Sequence, residues 1–286
     1  MLRAFLIILL GGLLAGSSLW AESFRAPYKQ LKEMIPDRPD FTDSPDTVER
    51  GWILHEMTFA QYSEDSNGTT KDTGWNYGNS LFRIGLLNAW EFRLGWNGYS
   101  QTRTHNLAEA HTNTVEGAGT MNVGFKNTIT DGDHWIPNFG VISVVSLPVG
   151  ARNVSSETVE PTLKLAWSYD LTKRLSVAGN FNFSLLNPDV SAIDPTTSFP
   201  STTARNRYVQ FQPTLSVGYS IMDGWGAFIE YYTSHNLHQS IPDQHFFDTG
   251  FTFKVAQNLQ FDIFTNIGLT KATPDFAVGT GIAYRF

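Results

Sequence analysis

Residues 259–269 read LQFDIFTNIGL, and apolar side chains occupy almost every second position of this run. Counted from Leu259, the odd positions hold Leu, Phe, Ile, Thr, Ile and Leu, and most even positions are polar or small. Successive side chains of a β-strand point to opposite faces. The run therefore predicts a strand with one apolar and one polar face, and residues 90–97, 175–183 and 209–219 alternate in the same way.

Repeated alternation from Gly51 to the last residue predicts about twelve strands. They are longer than the roughly 5–6 residues of ordinary globular strands, and they match the roughly 9–11 residues with which a tilted strand crosses a bilayer. The predicted strands are 51–63, 74–87, 90–101, 115–127, 134–147, 158–169, 174–185, 207–220, 225–235, 245–256, 259–269 and 276–286.

The connections between these strands alternate between short and long. The short ones are 88–89, 128–133, 170–173, 221–224 and 257–258, and the longer ones are 64–73, 102–114, 148–157, 186–206 and 236–244. Outer-membrane barrels have short periplasmic turns and longer outside loops. An even number of strands also leaves both chain ends on the periplasmic side.

Tryptophan placement agrees with a membrane barrel. Aromatic girdles mark both interfaces of such barrels, and the tryptophans near strand ends or on apolar faces are Trp52, Trp75, Trp90, Trp96, Trp135, Trp167 and Trp225. A soluble β-sandwich or propeller would also alternate. Strand length, connection asymmetry and aromatic content favour an all-β fold, a closed antiparallel transmembrane β-barrel of about twelve strands with a short N-terminal extension. This barrel is expected to span residues 51–286.

The first 21 residues have the features of a secretory signal peptide. Arg3 supplies a positive start, residues 4–14 are uncharged and mostly apolar, and Ala21 precedes an acidic residue. Eleven apolar residues are too few for a membrane-spanning helix, which needs about 20. We therefore expect export and location in the cell outer membrane, with the lipid bilayer and the barrel-assembly machinery as partners.

Composition excludes several classes of function. The chain has no cysteine, which rules out disulfides, thiolate metal sites and cysteine nucleophiles. Its 20 Lys and Arg against 27 Asp and Glu give a net charge of −7, so nucleic acid is not an expected partner. We predict no cofactor and no metal site. His235, His238 and His245 are a weak exception, since loop histidines are mostly solvent-exposed.

Residues 22–50 differ from the strands that follow. Three prolines interrupt the stretch after residue 35, and proline disfavours both helix and central strand. The run Asp37-Arg38-Pro39-Asp40-Phe41-Thr42-Asp43-Ser44-Pro45-Asp46 is acidic. The segment is expected to be either a plug that enters the barrel, with its aspartates on lumen arginines, or a periplasmic tail.

The last strand ends in an aromatic residue. In residues 276–286 the apolar face includes Tyr284 and the terminal Phe286, and the other face holds mostly Ala, Gly and Arg285. Such an ending resembles the assembly signal of bacterial outer-membrane proteins. Tyr284 and Phe286 are therefore the predicted assembly signal.

Two stretches resemble the family named for a meta-pathway of phenol degradation. They are residues 37–45, followed by Gly51 and the first strand, and residues 258–286, which include Thr273-Pro274-Asp275-Phe276. The likeness covers about residues 37–286. It implies an outer-membrane β-barrel of transporter type, linked to uptake of aromatic or other hydrophobic compounds.

The polar face of each strand is expected to line the lumen. The charges placed there are Arg83, Glu91, Arg93, Glu116, Lys126, Glu160, Lys164, Glu230, Asp248, Lys254, Asp262 and Arg285, and the aromatic residues are Tyr99, Phe228, Tyr232 and Phe264. The charges form either an internal salt-bridge network or a selectivity lining, because buried charges need partners. The rings either fill space or stack on a solute.

Two functions fit these observations. The first is a channel or transporter for small hydrophobic or aromatic solutes. The second is a structural or surface-interaction barrel whose outer loops, chiefly residues 186–206, bind partners. An enzyme is not expected, because the chain has no Gly-x-Ser-x-Gly elbow and no catalytic residue can be named.

Overall fold

A computed structural model describes residues 31–133, 136–152, 154–155, 158–187, 207–238 and 241–286. The predicted signal peptide, Trp135 and residues 188–206 of the longest loop lie outside these ranges. The described strands are β1 Ile53–Ser66, β2 Thr70–Tyr77, β3 Ser80–Leu87, β4 Trp90–Trp96, β5 Tyr99–Asn106, β6 His111–Ala118, β7 Met121–Thr130, β8 Asn138–Leu147, β9 Glu160–Asp170, β10 Leu175–Leu186, β11 Tyr208–Met222, β12 Trp225–Asn236, β13 Gln244–Ala256, β14 Leu259–Gly268 and β15 Phe276–Arg285. Within these ranges no helix is long and apolar enough to cross a membrane.

Three pairs of segments, β2 with β3, β4 with β5 and β6 with β7, are single strands with a short break. Their partners continue across each break, since β3 pairs with β4 while β2 pairs with β5, and β4 pairs with β7 while β5 pairs with β6. The described residues thus form twelve antiparallel barrel strands, which confirms the prediction from the sequence.

The barrel closes between its first and last strands. Strand β15 pairs with β14 on one side and with β1 on the other, from Leu54↔Arg285 to Glu64↔Phe276. Closure leaves no unpaired sheet edge, a requirement for backbone that lies within lipid. The four-residue alternation in the final strand therefore lies in the seam that completes the barrel.

Polar side chains face inward and apolar ones face outward, the reverse of a soluble core. On β14, Ile263 is 45% exposed, whereas its neighbour Asp262 is 1% exposed. The outer surface carries many large apolar side chains, including Leu215, Phe251 and Ile229. Such a surface is stable only against another apolar medium, here the acyl chains of a bilayer.

Two of the predicted long loops are largely strand. Residues 64–73 and 102–114 were expected to be loops, but β1 and β2 are joined by residues 67–69, and β5 and β6 by residues 107–110. These strand ends carry polar residues on both faces, as in Thr102, Arg103 and Thr104. Because neither face is apolar, the period of two was invisible there.

Glycine breaks change the inward phase along the strands. Gly78 and Gly98 have positive φ values of 68° and 75°, a conformation that favours glycine. A Cβ on Gly98 would lie 2.4 Å from the Tyr77 carbonyl oxygen. After this break Tyr99 is 40% exposed and Ser100 is buried, so the prediction that Tyr99 lines the lumen was wrong.

The break before β7 has a similar effect on Glu116. This side chain is exposed and accepts a hydrogen bond from Gln101, so its predicted lumen position was also wrong. Trp52 differs from the predicted girdle as well. It is buried in an apolar cluster with Met34, Val48 and Leu54, inside the barrel.

We expect Ile263→Arg to lower the free energy of unfolding by roughly 2–4 kcal/mol, because it places a charge on the lipid face near mid-strand. Urea unfolding in lipid vesicles measures this cost. Thr162→Arg on the inner face is the control, since Thr162 borders a polar cavity. Equal losses for the two variants would contradict the assignment of the faces.

Candidate functional site: a barrel lumen occupied by residues 31–50

Residues 31–50, called here the inner segment, lie within the barrel. The segment enters at the end where β1 begins and β15 ends. There Lys254 Nζ lies 2.5 Å from Glu33 Oε1, and Arg285 Nη1 lies 3.1 Å from Glu49 Oε2. The backbone N–H of Val48 donates to Glu91 of the wall. The chain thus passes inward, turns at residues 40–43 and returns to the same end.

Asp37 is the centre of a buried ionic network. Its carboxylate lies 2.6 Å from Arg93 Nη1, 2.8 Å from Lys126 Nζ and 3.2 Å from Arg83 Nη1. Arg83 also contacts Glu91 at 2.9 Å. Although burial raises the pKa of Asp37, the coulombic attraction of these three cations outweighs burial and holds that pKa well below its usual range.

A second set of contacts holds Asp43. Its carboxylate pairs with Lys164 Nζ at 2.5 Å and with Arg93 Nη2 at 3.0 Å. Asn180 of β10 accepts a hydrogen bond from the Asp43 N–H and donates one to the Asp43 carbonyl oxygen. Arg93 therefore binds both aspartates and fixes the two legs of the segment to one strand.

On the opposite wall the polarity is reversed, because here the inner segment supplies the cation. Arg38 makes two parallel hydrogen bonds of 2.8 Å to the Asp262 carboxylate and a third to Thr58. Bidentate pairs of this kind add both energy and fixed geometry. Glu230 accepts hydrogen bonds from the Phe41 N–H and from the Thr42 hydroxyl.

Asp40 lies among acids. The Ser216 hydroxyl donates to it at 2.9 Å. Burial, and then the neighbouring carboxylate of Glu230, raise the pKa of Asp40 well above its usual range. The turn of the segment thus rests on an acidic part of the wall, whereas its legs rest on a basic part.

Aromatic rings fill the space beside this turn. Phe41 stacks on Tyr232 with 4.3 Å between ring centroids, and Tyr232 stacks on Phe246 at 4.6 Å. Asn266 donates a hydrogen bond to the Tyr232 hydroxyl. Phe228 and Phe264 are buried nearby. In this state the rings contact one another and leave no gap for a solute between Phe41 and Tyr232.

Cavities lie on both sides of the inner segment. One of about 370 Å³ on the loop side has residues 37–43 as its floor and includes Asn122, Ser146 and Lys164 in its lining. Another of about 250 Å³ on the turn side lies between the two legs and includes Asp46 and Thr128. The lining is polar on both sides.

The structure brings most of the predicted lumen residues to the inner segment. Those that face inward are Arg83, Glu91, Arg93, Glu160, Lys164, Phe228, Glu230, Tyr232, Asp262, Phe264 and Arg285. Glu160 lies apart, near the outer end of its strand, where it accepts a hydrogen bond from the Asn187 N–H. The residues missed in the sequence are the uncharged partners Asn180, Thr214 and Ser216. Their inward phase was visible, but nothing in their type distinguished them.

Among the described residues no group of His, Cys, Asp or Glu is placed to hold a metal ion. His235 instead pairs with Asp243 at 2.6 Å, and His245 contacts the Tyr231 hydroxyl.

A closed antiparallel barrel with an apolar outer surface and a polar, occupied lumen is an outer-membrane β-barrel protein. The family described as "Putative MetA-pathway of phenol degradation" matches residues 36–286, and the chain belongs to that family. The resemblance drawn from the sequence is thereby confirmed. The match begins at Pro36 and so includes most of the inner segment.

Solved structures show the same fold. An outer-membrane channel from Pseudomonas putida is similar with a TM-score of 0.56 at 13% identity, over 82% of this chain and 94% of that one. The translocator domain of the autotransporter NalP from Neisseria meningitidis has a TM-score of 0.54 at 10% identity, over 82% of this chain and 88% of that one. Among curated proteins nothing matches.

We expect Asp37→Asn to loosen the inner segment, because it leaves three buried cations short of a counter-charge. Breaking one side of a buried pair costs roughly 3–5 kcal/mol. Hydrogen exchange of the Phe41, Asp43 and Val48 amides, which all bond to wall side chains, measures the loosening. In the parent, exchange should stay slow at neutral pH and rise as the pH falls below 3.8 towards the lowered pKa of Asp37.

Asp40→Asn is the matched control of opposite sign. The raised pKa of Asp40 means that its ionisation opposes docking as the pH rises, so a neutral amide should slow exchange at pH 7. Faster exchange in this variant, or slow exchange in Asp37→Asn, would contradict the ionic account.

Proposed function

We propose that the protein is an outer-membrane channel that the inner segment closes as a plug. The observation that carries the proposal is the ionic contact between the plug and the wall. Arg83, Arg93 and Lys126 all meet Asp37, and Lys164 meets Asp43. The wall thus presents charges whose partners belong to a segment joined to the barrel only through residues 50–52.

The polarity of this contact supports movement. An apolar plug would expose apolar surface when it left, at a high cost in water. Here the groups uncovered are arginines, lysines, carboxylates, asparagines and hydroxyls, all of which water can solvate. A twelve-stranded barrel lies between the filled eight-stranded barrels and the open channels of about 16–18 strands. Its lumen is therefore narrow, and occupancy by one segment decides whether it conducts.

Export and assembly complete the proposal. The signal peptide of residues 1–21 would direct the chain to the outer membrane. Tyr284 and Phe286 face outward with ring centroids 5.6 Å apart, where the barrel-assembly machinery would recognise them.

The double variant Asp37→Asn with Asp43→Asn should raise liposome permeability to arabinose. A loss of about 3 kcal/mol of docking free energy raises the fraction of withdrawn plug roughly a hundredfold. Swelling assays and single-channel conductance measure the effect. Asp131→Asn is the control, because Asp131 lies on the surface and pairs only with an exposed lysine at 3.6 Å.

If the double variant and a variant lacking residues 31–50 both insert normally and conduct nothing, the channel proposal is wrong. The surface-interaction barrel would then be the better account. Its main candidate region, residues 188–206, lies outside the described ranges.

We further propose that small hydrophobic or aromatic solutes are among those that pass. Withdrawal of Phe41 would uncover the face of Tyr232, which already stacks on Phe246. Stacked aromatic pairs contribute roughly 0.5–1.5 kcal/mol beyond area burial. A solute ring could therefore take the place of the Phe41 ring on a wall that is otherwise polar.

Benzoate and hexanoate test this preference, since they carry the same charge and differ in the ring. In the plug-loosened double variant, benzoate flux into liposomes should exceed hexanoate flux. Adding Tyr232→Leu should abolish the difference while arabinose flux stays at least as high. An unchanged flux ratio would count against aromatic selection and leave the channel itself untouched.

A further inference from the structure

Pro213 lies in the middle of β11, within the barrel wall. It is on the outer face of a strand that runs from Tyr208 to Met222, with Leu215 next on the same face. Proline has no backbone N–H and is normally confined to edge strands, strand ends or bulges. A barrel strand has neighbours on both sides, so a mid-strand proline weakens the wall.

The hydrogen-bonded ladder is interrupted on both sides of this proline. Between β10 and β11, pairing stops at Ala178↔Ser216 and resumes at Phe181↔Pro213. Between β11 and β12, it stops at Phe211↔His235 and resumes at Thr214↔Tyr232. Two pairs are missing in each seam at the same level. The register is unchanged across both gaps, so the strands separate locally instead of forming a bulge.

Side chains replace part of the missing ladder. The Asn180 N–H donates to Thr214 Oγ1 at 2.8 Å, and Gln212 donates to the Ser234 hydroxyl. Asn182, which faces the lumen beside the gap, is 1% exposed, and neither atom of its amide has a partner. Backbone and side-chain polar groups at membrane depth are normally satisfied within the protein. This part of the wall is thus less firmly bonded than the continuous ladders of β9 and β14.

The plug is bonded to the same place. Thr42 Oγ1 lies 2.6 Å from Thr214 Oγ1, the atom that accepts the Asn180 N–H. One chain of hydrogen bonds therefore joins the plug to the interrupted seam. When the plug withdraws, Thr214 loses a partner that helps to hold residues 212–214 in the wall.

The outer side of the gap is aromatic. Phe181, Phe183 and Phe211 form a surface patch in which ring centroids lie 5.0 Å apart for Phe183 with Phe211 and 6.3 Å apart for Phe181 with Phe211. These rings face the acyl chains. An uncharged apolar solute would pass from lumen to lipid here without leaving an apolar surface, whereas a charged one would not.

We propose that residues 212–214 form a side passage through which uncharged apolar solutes leave the lumen for the membrane, and that Thr42 of the plug keeps it closed. The proposal rests on the channel function proposed above. It differs in route, because polar solutes would continue along the barrel axis while apolar ones exit through the wall.

Restoring the missing donor tests the passage. Pro213→Val allows the ladder to close, so uptake of 1-N-phenylnaphthylamine by cells carrying the plug-loosened double variant should fall to the level of cells without the protein. Arabinose swelling by the same purified protein should not change. Pro161→Val is the matched control, since Pro161 lies in β9, where its pairing with Val145 is intact.

A reversible lock gives a second measurement. The chain has no native cysteine, so Gln212→Cys with Ser234→Cys can tie β11 to β12 across the gap. Oxidation should stop uptake of the probe, and reduction should restore it. The control lock, Thr162→Cys with Ser184→Cys, spans an intact part of the β9–β10 ladder and should have no effect.

The outcomes separate the two proposals. Probe uptake that persists in Pro213→Val and in the oxidised lock, while arabinose still passes, overturns the side passage and leaves the channel. Loss of probe uptake in both, in a protein that never passes arabinose, supports the side passage and overturns the axial channel.

Discussion

A cation that faces the inside of a narrow barrel must have a counter-charge, and the rest of this structure depends on how that requirement is met. Arg83, Arg93 and Lys126 come from neighbouring strands β3, β4 and β7, and all three converge on one carboxylate. Glu91 alone could not neutralise them. Because the main counter-ion, Asp37, is carried by the segment before β1, the same interaction that satisfies the wall also holds the inner segment in the lumen.

The plug is held unevenly, and this asymmetry indicates where it would first come loose. Its legs contact basic strands, where Asp37 and Asp43 are strongly paired. Its turn contacts Glu230 and Ser216, and Asp248 Oδ1 nearby is buried without a hydrogen-bond partner. Since burial and Glu230 raise the pKa of Asp40, ionisation of this residue works against docking at the turn. The weak contact is therefore at the tip, beside β11, and the strong one is at the legs.

Much of the barrel was predictable because the lipid imposes a period of two on each strand. The twelve strands, the short turns and the inward phase of Arg83, Glu91 and Asp262 all follow from that period. Phase was lost where glycine breaks a strand. Gly98 adopts a positive φ, which no pattern of apolar residues encodes, so Tyr99 was placed on the wrong face. The polar strand ends beyond the membrane were missed because water on both sides erases the alternation.

The inner segment was less predictable for a different reason. Its prolines and aspartates excluded regular structure, but an acidic stretch without regular structure can lie equally well in water or among buried arginines. Charge complementarity favours the lumen only once the arginines are known to converge, and convergence is a property of strand pairing across β3, β4 and β7. The contact between Thr42 and Thr214 was hidden further still, since two hydroxyls carry no signal in sequence. That contact nevertheless joins the plug to the point where Pro213 interrupts the wall, so a single movement of the segment would act on both the lumen and the seam.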